Sequence, residues 1–177
     1  MTAKRTKRTA KTVTKNGVAF TVNGQACDLE VGSTIGQVSP AHTLAYTLRE
    51  TLGLTGTKIS CDHGACGCCT VLIDGKAVSS CMVLTIECGG KAIETIEGLS
   101  DPRTGALDPI QQAFIDHTAF QCGFCTPGII MSAKALLKEI PRPTEEEVKE
   151  GLSGNFCRCI SHYQVIRAVL EASEKAR

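Results

Sequence analysis

CDHGACGCCTVLIDGKAVSSC, residues 61–81, carries Cys61, Cys66, Cys69 and Cys81, a C-x4-C-x2-C run followed by a more distant fourth thiol. That is the plant-type ferredoxin spacing, in which four thiolates hold one [2Fe–2S] centre. Gly64 and Gly67 lie between the cysteines, where backbone must pass close to the centre and donate N–H groups to sulfur. A structural zinc site would normally show two C-x2-C pairs instead. Cys68 is also within the run, but taking it as the third ligand gives C-x4-C-x-C, the wrong loop length, so Cys69 is the expected ligand. His63 stands in the same loop, yet a Rieske centre needs two histidines on one iron and only one is local.

Outward from this segment, the chain reads as short strands around one helix. Val18, Phe20 and Val22 alternate, Asn23-Gly24 is a type I′ turn signal, and Cys27, Leu29 and Val31 alternate on the return. Leu44, Leu48 and Leu52 share one face of a helix over 43–52, which Gly53 stops. Thr70–Ile73 and Lys76–Ser80 flank an Asp74-Gly75 turn, and 83–87 and 92–96 are expected as further strands. Beyond residue 98 the pattern becomes helical. Asp108 and Pro109 open one helix, Thr126-Pro127 a second, and Thr144 with Glu147 forms a capping box for a third; 165–172 is the fourth. The expected organisation is a basic, disordered tail (1–15), a ferredoxin-like unit (16–98), a linker (99–107) and a helical unit (108–177), an α+β chain overall.

The helical part holds a second cysteine set: Cys122 and Cys125 in QCGFCTPG, Cys157 and Cys159 in NFCRC. Each pair stands just before a helix, so two such units packed face to face bring four sulfurs and two positive helix ends to one place. Taken alone, this set suits iron–sulfur or zinc. The remaining Cys27 and Cys88 read as small apolar strand residues. His162 stands near the second set, and His42 and His117 as ordinary surface or helix-end residues.

Composition narrows the class. The chain has 177 residues and 11 cysteines, an odd number clustered in tight pairs, which argues against a secreted disulfide scaffold. Residues 16–30 are mixed and strand-like rather than an apolar leader, and a reducing, cytoplasmic setting is expected. No apolar run reaches the ~18 residues of a membrane span. Six of the 19 basic residues fall in residues 1–15, leaving 13 basic against 18 acidic side chains, a net of −5, in the rest. A nucleic-acid binder would not carry that charge. No phosphate loop, dinucleotide fingerprint or catalytic triad is present.

Together, TLRETLGLTGTKISCDHGACGCCTVLIDG, TIEGL, QCGFCTPG and GNFCRC resemble the iron–sulfur small subunit of the xanthine oxidase family of molybdenum hydroxylases, over residues 17–172. The resemblance implies a plant-ferredoxin-like β-grasp domain followed by a four-helix bundle, each with a [2Fe–2S] cluster. It implies a large partner subunit carrying a molybdopterin cofactor, and a medium subunit carrying FAD, in a heterotrimer or a dimer of heterotrimers. By the same resemblance Gln121 and Cys159 contact the pterin, the helical-domain cluster lies beside it, and the other cluster faces the flavin. Cys159-Ile160-Ser161-His162-Tyr163 departs from the family's usual C-R-C-T-G-Y, and Cys68 replaces a small residue. The expected role is electron transfer from molybdopterin to FAD or another acceptor with no catalytic residue on this chain; the alternatives are a free-standing ferredoxin-type carrier and a zinc-stabilised interaction module.

Overall fold

The computed structural model describes residues 17–175; the basic tail lies outside the described residues. β1 (Gly17–Val22) and β2 (Gln25–Glu30) form the expected hairpin, with Val22 opposite Gln25. Its two-residue turn needs positive φ at both positions, and Asn23 and Gly24 supply 51° and 79°. β3 (Thr70–Ile73) and β4 (Lys76–Ser79) repeat the device, with Asp74 and Gly75 at 51° and 80°. β5 (Ala92–Glu94) runs parallel to β1 and antiparallel to β3, giving a mixed sheet of order β2-β1-β5-β3-β4. Val18, Phe20 and Val22 point into its core with Val71, Ile93 and Cys88. β2 is an edge strand, and its inward set is only half-buried.

α1 (Leu44–Tyr46) starts on a cap from Thr43 Oγ1 and continues as a π-helical turn over Thr47–Thr51. The expected α-helix is thus widened. Leu52 N–H reaches back five residues to Thr47 O at 3.0 Å, while Gly53 turns left-handed (φ 70°) and stops the run. Leu44 and Leu48 are wholly buried on the sheet. A second difference lies at 83–87. The segment makes one bridge, Leu84 with Thr43, and then coils into a 3-10 turn at Thr85–Cys88. Cys88 is therefore a buried turn residue rather than a strand residue.

The rest is helical: α2 (Pro109–Asp116), α3 (Thr126–Glu139), α4 (Glu145–Gly151) and α5 (His162–Lys175). Their starts follow the caps in the sequence. Asp108 accepts from Ile110 N at 3.1 Å and Gln111 returns the bond to Asp108 N at 3.0 Å; Thr144 and Glu147 make the same reciprocal pair. Phe114, Ile129, Ile130, Val148, Val165 and Val169 fill the core between these helices. α2 and α5 are joined at their ends by His117–Glu171 and by Lys175 with Asp116. One residue of the first half, Cys68, belongs to this helical core.

Candidate metal centres

The loop 53–69 is held at its base before it reaches the cysteines. Arg49 Nη1 donates to Thr55 O and Thr57 O at 3.0 and 2.8 Å, and Glu97 accepts from Gly56 N at 2.7 Å. Within it, Asp62, Gly64 and Gly67 take left-handed φ values of 56°, 77° and 68°. Such turns swing successive N–H groups to one side, forming a concavity for an anion. The sulfur of Cys61 is the target here: the amides of His63, Cys66 and Ala65 point at it. With the neighbouring Cys66 thiol, they bring its pKa down to about 6. Cys81 receives the amide of Gly64, but burial dominates and pushes its thiol up to about 12. Behind the loop, Ser80 Oγ and Thr70 Oγ1 tie down the carbonyls of Cys69 and Gly67 at 2.6 and 2.8 Å.

The sulfurs are arranged in pairs. Cys61 neighbours Cys66, Cys69 neighbours Cys81, and Cys125 neighbours Cys157, each within hydrogen-bonding reach, and Cys68 also reaches Cys66. Cys122 and Cys159 stand 3.8 Å apart. Among the described residues, no three ligating side chains converge as they would around a single metal ion. Paired sulfurs suit a two-iron centre, in which each iron takes two protein ligands.

α3 begins immediately after Cys125, and Ile160 N–H donates to Cys157 Sγ at 3.4 Å. Burial first, then Cys157, raises the Cys125 thiol to about 12. A cation must therefore displace that proton, as binding to a buried thiol requires. Thr126 Oγ1, one residue on, is buried with no hydrogen-bond partner. An anionic iron–sulfur group fits this set: it needs thiolates in pairs, N–H donors and a positive helix end, and all three are present.

Cys122 and Cys159 are exposed while Cys125 is buried, so the second set opens to the surface at one side. Gln121 is exposed at that opening, beside Cys122. A cleft of about 470 Å³ there is lined by the four cysteines of the second set and by Cys66 and Cys68 from the first loop, with Phe124 and Phe156 in its wall. His63 turns its Nδ1 to the carbonyl of Cys61, and His162 is exposed at the start of α5. The residues that join the two loops, Asn155, Phe156 and Gly128, were not singled out by sequence reasoning. Asn155 meets Gly67 across 88 positions, and no periodicity or spacing within either half encodes that contact.

A sheet-plus-helix chain with two paired cysteine sets defines an iron–sulfur electron-transfer protein. Residues 20–92 match the family described as 2Fe-2S iron-sulfur cluster binding domain, and residues 95–170 that described as [2Fe-2S] binding domain. The chain is 53% identical over 135 residues to the nicotine 6-hydroxylase small subunit of Paenarthrobacter nicotinovorans, covering 76% of this chain and 80% of that one. It is 42% identical over 136 residues to the nicotinate dehydrogenase small FeS subunit of Eubacterium barkeri, covering 77% and 85%. Quinoline 2-oxidoreductase from Pseudomonas putida 86 superimposes with a TM-score of 0.83 at 42% identity, over 91% of this chain and 95% of that chain. The aldehyde oxidoreductase of Desulfovibrio desulfuricans gives 0.82 at 39% identity, over 90% of this chain and 17% of that longer one. The chain belongs to the [2Fe–2S] small subunits of the molybdenum hydroxylase family, two-cluster electron-transfer subunits of oxidoreductases. Among the described residues, no helix is long and apolar enough to cross a membrane.

Proposed function

We propose that Cys61, Cys66, Cys69 and Cys81 hold one [2Fe–2S] centre in a plant-ferredoxin-like β-grasp domain (16–98). Cys122, Cys125, Cys157 and Cys159 hold the other in a four-helix bundle (108–177), with 99–107 as the linker. Each centre, when bound, takes up and gives up one electron at a time. The second set faces the molybdopterin cofactor of a large partner subunit, with Gln121 and Cys159 as the contacts. The first faces FAD on a medium subunit, in a heterotrimer or its dimer within the cytoplasm. The relatives named for nicotine, nicotinate and quinoline favour a nitrogen heterocycle as the substrate of the complex.

The observation that carries this reading is the shared cleft. Cys66 of the first set and all four thiols of the second line one space, while Cys122 and Cys159 remain open to a partner. A relay needs two neighbouring centres and an exposed entry; a zinc-stapled interaction module needs neither. Exposed Phe124 and Phe156, at 44% and 64%, line that entry as aromatic contacts for the large subunit.

Purification of the tagged chain from its own cells tests the reading. A large molybdopterin-containing subunit is expected to co-elute, and substrate should bleach the visible bands of the complex. Gln121→Ala should keep its iron and slow that bleaching. A chain that elutes alone, loaded with iron, would establish the free-standing ferredoxin-type carrier instead.

A further inference from the structure

Residues 154–156 lie across the loop of the first cysteine set. Phe156 N–H donates to Cys66 O at 3.0 Å, and Asn155 Nδ2 donates to Gly67 O at 3.0 Å. Cys66 is a cysteine of the first set, and the residue after Phe156 is Cys157, of the second. A single hydrogen bond therefore separates the backbone of the two sets. From the Cys66 sulfur the path runs through its own Cβ, Cα and carbonyl, across to the Phe156 amide, and along the chain to the Cys157 sulfur.

Asn155 is built for this place. It is only 7% exposed, and a carbonyl acceptor fixes its amide nitrogen on the Gly67 side. Its own N–H is anchored to Leu152 O at 2.9 Å, at the end of α4. Gly67 must be glycine here: φ is 68°, and a Cβ would stand 2.5 Å from both Asn155 Nδ2 and Gly154 O. The Gly67 carbonyl is gripped from its own half by Thr70 Oγ1 and from the other half by Asn155. Removing Asn155's donor leaves a buried carbonyl short of one bond and frees the segment before Cys157 to shift.

We infer that Asn155 is the positioning residue for electron exchange between the two centres, because its bond to the Gly67 carbonyl holds residues 154–156 against the loop in which Cys66 O accepts from the Phe156 amide. The inference rests on the ligand sets proposed above. One electron leaves one centre and enters the other; no bond breaks and no proton moves. Tunnelling falls off exponentially with the gap, and more slowly along bonds than across space, so a small retreat of residues 154–156 has a large effect on rate.

The test uses the full chain carrying both centres, with Asn155→Ala and the isosteric Asn155→Asp. Iron per chain, the two reduced EPR signals and the midpoint potentials establish that the centres are intact. Exchange is then followed after photochemical injection of one electron per chain, and the Phe156 amide by hydrogen exchange. Both variants should keep their iron, expose the Phe156 amide to faster exchange, and slow electron exchange severalfold. Thr70→Val, which removes a bond to the same oxygen without crossing between the halves, should leave the electron rate unchanged. Wild-type electron exchange in both Asn155 variants, or equal slowing in Thr70→Val, would overturn the inference. Failure to find two reduced signals in the wild type would instead refute the ligand sets.

Discussion

Cys68 stands beside Cys66 and Cys69 in the chain, lies within hydrogen-bonding reach of the Cys66 sulfur, and also packs into the helical core. Cys69 and Cys81 share a small cluster with Ala45, whereas Cys68 joins Cys125, Ile129 and the helical core. Ionisation does not separate them, since burial pushes the thiols of Cys68, Cys81 and Cys125 alike up to about 12. Packing does. Cys68→Ala should keep both clusters and cost about 1 kcal/mol for the small void, measured as a lowered melting temperature at unchanged iron. Cys69→Ala should lose the first cluster. The spacing in the sequence was enough to prefer Cys69. It could not show that Cys68 wedges between the two halves, because that depends on where α3 lands.

Elements followed their local chemistry wherever the chemistry was self-contained. The Asn23-Gly24 and Asp74-Gly75 turns, the Asp108 and Thr144 caps and the alternation of β1 all act within a few residues, and all were readable in the sequence. The misreadings have a tertiary cause. Residues 83–87 alternate like a strand, but Leu84 finds only Thr43 to pair with and the chain coils. α5 begins at His162, a turn earlier than its apolar face, because its first residues are exposed. The close approach of α3 to the first loop was likewise invisible. A Cβ on Gly128 would be driven into the Gly67 carbonyl and to 2.9 Å from Cys68 Cα, both backbone atoms that cannot swing aside. Gly128→Ala gains about 1 kcal/mol of helix propensity, yet it should destabilise the chain by about 1–3 kcal/mol in a denaturant titration, because overpacking against rigid backbone outweighs propensity. Thr144→Ala, which removes a cap far from either set, should cost about 1 kcal/mol and leave iron content alone.

At the scale of the whole molecule, two cores too small to be secure alone meet through Cys68, Gly128 and Asn155, with a cysteine set on each side of the seam. A basic arm is not needed to hold an interface of obligate size, so a chain lacking residues 1–15 should still co-elute with the large subunit on size exclusion, with turnover near wild type. Removing iron should act on both halves: chelation under reducing conditions is expected to lower the melting temperature, since metal binding and folding are coupled in small cysteine-held domains. The most direct test of the account is the metal itself. Purified protein should be red-brown, carry about four irons and four acid-labile sulfides per chain, and show two distinct EPR signals when reduced. Colourless protein holding about two zinc ions per chain would contradict it.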